Sequence, residues 1–133
     1  MIDDLRRKYP VEYLGAFNPP MHLAFVKYAY MGLLPYKPVF SKVLSELNAL
    51  YCAPNKIYEY AGFGIPMIGS DVLGLKIAFE KYNMGICCDD SNEKSIYDAI
   101  SFVDKNHHEM SKNALEFYNN TDLETIVSNI LEE

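Results

Sequence analysis

Lys56 and Glu59 are the residues of this sequence whose types and spacing best fit a binding site. They follow Pro54 and precede Gly62. A proline in the first turn and a glycine at the end are typical of a short helix, which would therefore begin at about Pro54 and carry Lys56 in its first turn. The first turn of a helix has free N–H groups and a positive dipole end, and Lys56 adds a full positive charge there. The segment therefore predicts a site for a diphosphate.

Glu59 adds a carboxylate one turn further along the same predicted helix. A carboxylate at that position can accept hydrogen bonds from the two vicinal hydroxyls of a ribose. Together with a diphosphate site, it points to a nucleoside diphosphate. An ordinary surface ion pair between Lys56 and Glu59 explains the same spacing about equally well.

Strands and helices alternate in the predicted order of elements. Short apolar runs that are bounded by glycine, proline or asparagine predict four strands, at Val11–Leu14, Met31–Leu34, Pro66–Ile68 and Gly85–Cys88. Such alternation is typical of an α/β domain, with a parallel sheet covered by helices on both faces. Ligands of these sheets bind beyond the carboxyl ends of the strands. We expect one domain over residues 1–133.

Apolar stripes at helical spacing predict the helices between and after these strands. They are expected at Ile2–Tyr9, from Leu23 to Ala29, at Val39–Leu50, from Pro54 to Gly62 and at Leu73–Tyr82. A further helix should begin at Ser91 or Asn92 and turn Ile96, Ile100 and Val103 inward. Two capping boxes, Asn106 with Glu109 and Thr121 with Glu124, predict two final helices, and the last of these carries an apolar stripe from Leu123 to Leu131.

The segment around Lys56 resembles a known family signature. It is similar to the donor-site motif of group 1 (retaining, GT-B fold) glycosyltransferases. The residues that carry the resemblance are Pro54–Tyr60, Ala61, Gly62, Gly64–Pro66, Ile68 and Ser70–Asp71. The resemblance implies a Rossmann-like domain, the C-terminal half of such an enzyme, which binds a nucleoside-diphosphate sugar as donor substrate. It places Asn55 and Lys56 at the diphosphate, Glu59 at the ribose, and Gly74 near the donor. It implies hexose transfer to a carbohydrate or lipid-linked acceptor, with no catalytic base in this portion and no metal or other cofactor.

The sequence departs from the family pattern in two places. Tyr51 stands where the family often carries an earlier glutamate near the transferred sugar. The family's first two strands of this half and its N-terminal acceptor-binding domain have no counterpart, so we expect a partial domain that is inactive alone. Its partner would be a second copy or a separate N-terminal half. The alternative is a non-catalytic module that binds a nucleotide sugar or pairs with another subunit.

Composition narrows the remaining function classes. A formal net charge of −6 gives no basic surface for nucleic acid. Three cysteines, two of them adjacent, are typical of a reduced cytoplasmic protein. The apolar runs are too short to insert in a membrane, so any membrane association would be peripheral and through a partner.

Adjacent His107 and His108 cannot hold one metal as an i, i+4 pair would. A flavodoxin-like signalling domain is disfavoured because no acidic cluster follows the first predicted strand.

Overall fold

The computed structural model describes residues 2–37, 55–121 and 128 of the chain. The elements in chain order are α1 (Ile2–Lys8), α2 (Leu23–Val26), β1 (Gly32–Leu34), α3 (Asn55–Gly62), β2 (Met67–Ser70), α4 (Leu73–Tyr82), β3 (Gly85–Cys88) and α5 (Glu93–Asn120). This order confirms the α/β class. The helix predicted at Val39–Leu50, Tyr51, and the apolar stripe from Leu123 to Leu131 lie outside the described residues.

The three described strands form one parallel sheet in the order β1-β2-β3. Met67 is the common register point, since it pairs with Gly32 on one side and with Gly85 on the other. Helices that connect parallel strands run back along the sheet, so α3 and α4 both begin at the edge where the strands end. We call this the carboxyl edge of the sheet. The parallel sheet expected from the sequence is confirmed.

Both faces of the sheet are covered. On one face Met67 of β2 packs with Leu75 and Phe79 of α4. On the other face Ile68 of β2 packs with Val103 of α5. The period of two residues along a strand sends neighbouring side chains to opposite faces, so the apolar run of β2 is buried throughout.

Of the predictions before β1, one is wrong and another is confirmed only in part. No strand forms at Val11–Leu14, where the described chain is irregular and the side chains of Val11 and Leu14 are about half exposed. A β-rich run becomes a strand only when another strand supplies its hydrogen bonds, and none of the described strands lies beside this one. The helix expected from Leu23 to Ala29 is a single turn, Leu23–Val26.

The chain after β3 forms one long helix where two were predicted. Asn92 begins it as expected, because its side chain accepts hydrogen bonds from the N–H groups of Lys94 and Ser95. Asn106 does not start a new helix. Its Nδ2 donates to the carbonyl oxygen of Phe102 at 2.7 Å, and Glu109 accepts from Asn83 Nδ2, so the pair lies inside a continuous helix and forms no cap.

The inward face of α5 also differs from the prediction at one position. Ile100 is 41% exposed, whereas the preceding residue, Ala99, is buried at 3%. Ala99, Val103, Met110 and Ala114 form the buried stripe, with the four- and seven-residue spacing of one helix face. Thr121 ends this helix, with its Oγ1 donating to the carbonyl oxygen of Phe117 at 2.8 Å. None of the helices in the described part of the chain could cross a bilayer.

Candidate functional site

Helix α3 presents the predicted binding residues on its outward side. Ile57 and Ala61 anchor its inward side, with 2% and 0% of their surfaces exposed. Asn55 and Lys56 in the first turn are exposed, and Glu59 is partly exposed. The apolar anchor therefore fixes the helix while the polar side chains remain open to a ligand.

Tyr60 attaches α3 to the edge of β1. Its ring lies over Gly32, where a Cβ atom would overlap it, so only glycine fits at that position. Leu33 points its backbone N–H away from β2, and this N–H donates to the Tyr60 hydroxyl. Burial is the main cause that raises the pKa of Tyr60, and the charge of Glu59 raises it further. The contact sets the position of Glu59, the next residue back on the helix, relative to the sheet.

Glu59 has a partner that the sequence did not indicate. His22, at the start of α2, places its Nε2 3.4 Å from Glu59 Oε1, which is an ion-pair distance when the imidazole is protonated. His22 is the residue before α2, but its side chain does not cap that helix. The two side chains are 33% and 31% exposed. His22 therefore orients the carboxylate without covering it.

Lys56 and Glu59 do not form the surface ion pair that their spacing allowed. Within the described residues, the ion pair of Glu59 is made with His22, and none joins it to Lys56. The Lys56 ammonium in the first turn of α3 is left without a carboxylate from Glu59. The spacing is therefore not explained by a simple i, i+3 bridge.

A network of polar contacts, separate from the Glu59–His22 pair, joins the carboxyl ends of all three strands. Tyr36, just after β1, donates its N–H to Ser70 Oγ at 3.0 Å, and this hydroxyl donates to Asp90 Oδ2 at 3.0 Å. Lys37 Nζ lies 3.5 Å from the other oxygen of Asp90. Asp90, just after β3, therefore links this strand to the ends of β1 and β2. The network gives the carboxyl edge a defined shape.

Gly74 lies in the first turn of α4, and this helix begins at the carboxyl edge as α3 does. Gly74 is therefore a helical residue. Topology places the first turns of both helices, with Asn55, Lys56 and Gly74, at one edge of the sheet, and Glu59 follows one turn along α3.

The two cysteines of β3 pack against the core, Cys88 buried and Cys87 partly buried. The pKa of the Cys87 thiol is raised to about 11, chiefly because of burial. The thiol therefore stays protonated at neutral pH and is a poor nucleophile. Cys88 is buried and its pKa is also raised, again chiefly by burial. His107 stacks on Tyr30 at 4.0 Å between ring centroids, and its Nε2 lies 2.7 Å from the Tyr30 carbonyl oxygen. The described residues contain no group of three or more His, Cys, Asp or Glu side chains placed to hold a metal ion.

No family model matches the chain, nor does any curated protein or solved structure.

Proposed function

We propose that this chain is the donor-binding domain of a retaining glycosyltransferase, a Rossmann-like unit of the GT-B type. It binds a nucleoside-diphosphate hexose, and in the intact enzyme the hexose passes to a carbohydrate or lipid-linked acceptor. One arrangement carries the proposal: Lys56 is exposed and Glu59 partly exposed on the helix that leads into β2, and a helix that leads into a parallel strand starts towards the carboxyl edge of the sheet. This edge is where open α/β sheets bind nucleotides.

Lys56 and the first-turn N–H groups of α3 account for the diphosphate. The charge and the N–H donors both belong to the first turn of an eight-residue helix. During transfer, negative charge grows on the leaving diphosphate. Hydrogen-bond donors that are already in place stabilise this growing charge more than they stabilise the charge of the sugar nucleotide before transfer. The chain thus contributes electrostatic stabilisation of the leaving diphosphate.

Glu59 accounts for the ribose. Its Oε1 faces His22, which leaves the second oxygen and the remaining lone pairs to accept from a pair of hydroxyls. The anchoring of Tyr60 against Gly32 fixes the helix turn from which the carboxylate projects. A fixed carboxylate loses little conformational entropy on binding, which favours recognition of a diol.

Replacing Glu59 by alanine should lower affinity for a ribonucleoside diphosphate about tenfold or more, because a charged acceptor of two hydroxyl donors is removed. Affinity for a dideoxyribose analogue, which lacks both hydroxyls, should be the same in the variant and in the unaltered chain. Titration calorimetry with both ligands measures the two effects.

Glu116→Ala is the matched control for the Glu59 experiment. Glu116 is an exposed glutamate on α5, and its loss changes the net charge by the same amount. It should leave both affinities unchanged. Equal losses for the ribose and dideoxyribose ligands in Glu59→Ala would contradict the ribose assignment.

The segment before β1 favours a second candidate, a non-catalytic module that acts by pairing with another subunit. Tyr13, Leu14 and Met21 expose 51%, 55% and 63% of their surfaces. Exposed apolar side chains of this size are common at protein interfaces. Nucleotide titration separates the two candidates, since a purely pairing module would not bind the donor.

A further inference from the structure

His22 reaches the carboxylate of the ribose site from a separate segment of the chain. Its Nε2 lies 3.4 Å from Glu59 Oε1, and about two thirds of each side chain is covered. One carboxylate oxygen therefore faces an imidazole before any ligand binds. The other oxygen is left for the ligand.

Backbone hydrogen bonds hold this imidazole in place. The N–H groups of its neighbours Met21 and Leu23 both donate to carbonyl oxygens of the preceding turn, at 2.8 and 3.0 Å. The carbonyl oxygen of the histidine accepts from the N–H of Phe25 at 3.1 Å, and the Phe25 ring packs on Phe17 with 4.5 Å between the ring centroids. The imidazole therefore projects from an ordered turn.

We propose that His22 is a positioning residue for the ribose. Its protonated imidazole holds the Glu59 carboxylate in the orientation that accepts both hydroxyls, so the sugar nucleotide binds most tightly at mildly acidic pH. The inference rests on the proposed function, because it concerns the same site. It adds a residue from outside the segment between Pro54 and Asp71, and it gives the site a dependence on pH.

Protonation changes what the Nε2 atom of His22 can do. In the imidazolium both ring nitrogens carry a proton, so Nε2 is a donor and its charge attracts the carboxylate. In the neutral ring one tautomer presents a lone pair at Nε2, and this tautomer repels Glu59 Oε1. Loss of the proton therefore loosens the Glu59 side chain. A loosened side chain must be ordered again when the ribose binds, which lowers the affinity.

The ionisable side chains around the pair are lysines and tyrosines. Besides Glu59, helix α3 carries Lys56, Tyr58 and Tyr60, and Lys27 closes α2. The pKa of Tyr60 is raised, chiefly because of burial, so this hydroxyl stays neutral. Among histidine, glutamate, lysine and tyrosine side chains, only the imidazole ordinarily changes its charge between about pH 5 and 8. A change of affinity over this range therefore reports the histidine.

The pH profile of affinity tests the role of His22. UDP-, GDP- and ADP-glucose are the ligands, because both phosphates of a sugar nucleotide are diesters and lack the ionisation near pH 6 of a terminal phosphate. Calorimetric titration of the full chain should show an affinity that falls about two- to fivefold between about pH 5.5 and 8, as expected for an exposed ion pair. The dideoxyribose analogue of the same ligand should show no such fall, because it lacks the hydroxyls that Glu59 accepts.

His22→Gln separates a titrating imidazole from a simple hydrogen-bond donor. A glutamine can place an amide N–H near the position of Nε2, but it does not titrate. The variant should bind the ribose ligand with an affinity that stays constant over this pH range. His108→Gln, which removes an exposed imidazole on α5, is the control and should keep the fall.

Three outcomes would overturn the inference. A fall that persists in His22→Gln would show that another group titrates, and the donor site itself would stand. An affinity that rises with pH in the unaltered chain would mean that His22 competes with the ribose for Glu59, and the donor site would again stand. Absence of binding at every pH would overturn the donor site and the role of His22 together.

Discussion

Replacement of Lys56 by alanine is expected to weaken binding of the nucleoside diphosphate about 10- to 100-fold, since a charge-assisted hydrogen bond to phosphate is lost. The side chain is exposed in the first turn of α3, and Glu59 does not pair with it. Its ammonium is thus available to the phosphates. The free energy of unfolding should change little, because an exposed side chain that makes no buried contact is removed. Calorimetric titration and urea denaturation measure the two quantities.

Lys81→Ala controls for the loss of one positive charge. Lys81 is exposed in the last turn of α4, at the opposite edge of the sheet, where it lies over the Tyr82 ring. Its removal should leave nucleotide affinity unchanged. If both variants lost affinity equally, Lys56 would act only through net charge, and the diphosphate site would have to lie elsewhere.

Replacement of Leu75 by alanine is expected to lower the free energy of unfolding by about 2–5 kcal/mol. Leu75 is fully buried in α4 and packs in the cluster that joins this helix to β2. A Cβ atom at Gly69 would come within 2.6 Å of Leu75 Cδ1, so the leucine fills the space directly against the strand. Truncation leaves a cavity there that the surrounding backbone cannot fill. Urea denaturation followed by circular dichroism measures the loss.

Leu73 gives a matched control two residues earlier. It begins the same helix and is 43% exposed, so Leu73→Ala should change the free energy of unfolding by no more than about 0.5 kcal/mol. Equal destabilisation by the two substitutions would mean that leucine at these positions stabilises helix α4 itself, and that the packing of Leu75 on β2 contributes little.

The central part of the fold could be predicted from the sequence because its signals are local. Leu73–Tyr82 and Gly85–Cys88 are apolar segments that end at turn residues, and both have the predicted bounds. The strand at Val11–Leu14 failed because strand formation depends on a distant partner. The break at Asn106 failed because an asparagine side chain can bond either forward as a cap or back to the preceding turn, and here it bonds Phe102.

The candidate site was only half visible in the sequence. Lys56 and Glu59 could be found because helix-start residues, a cation and a carboxylate stand within one short segment. His22 and Asp90 could not, since their partners Glu59 and Ser70 are far away in the sequence and meet only in the folded chain. The one available signal was topological: Asp90 follows a strand end, as Ser70 does, and strand ends of a parallel sheet meet at one edge.

The most direct test of the central claim is titration calorimetry of the full chain with UDP, GDP and ADP and with their hexose conjugates. The proposed donor site predicts binding of one base series, including its hexose conjugate, with heats that disappear or fall sharply in Lys56→Ala. Absence of binding to every one of these ligands at millimolar concentration, by a chain that circular dichroism shows to be folded, would contradict the claim.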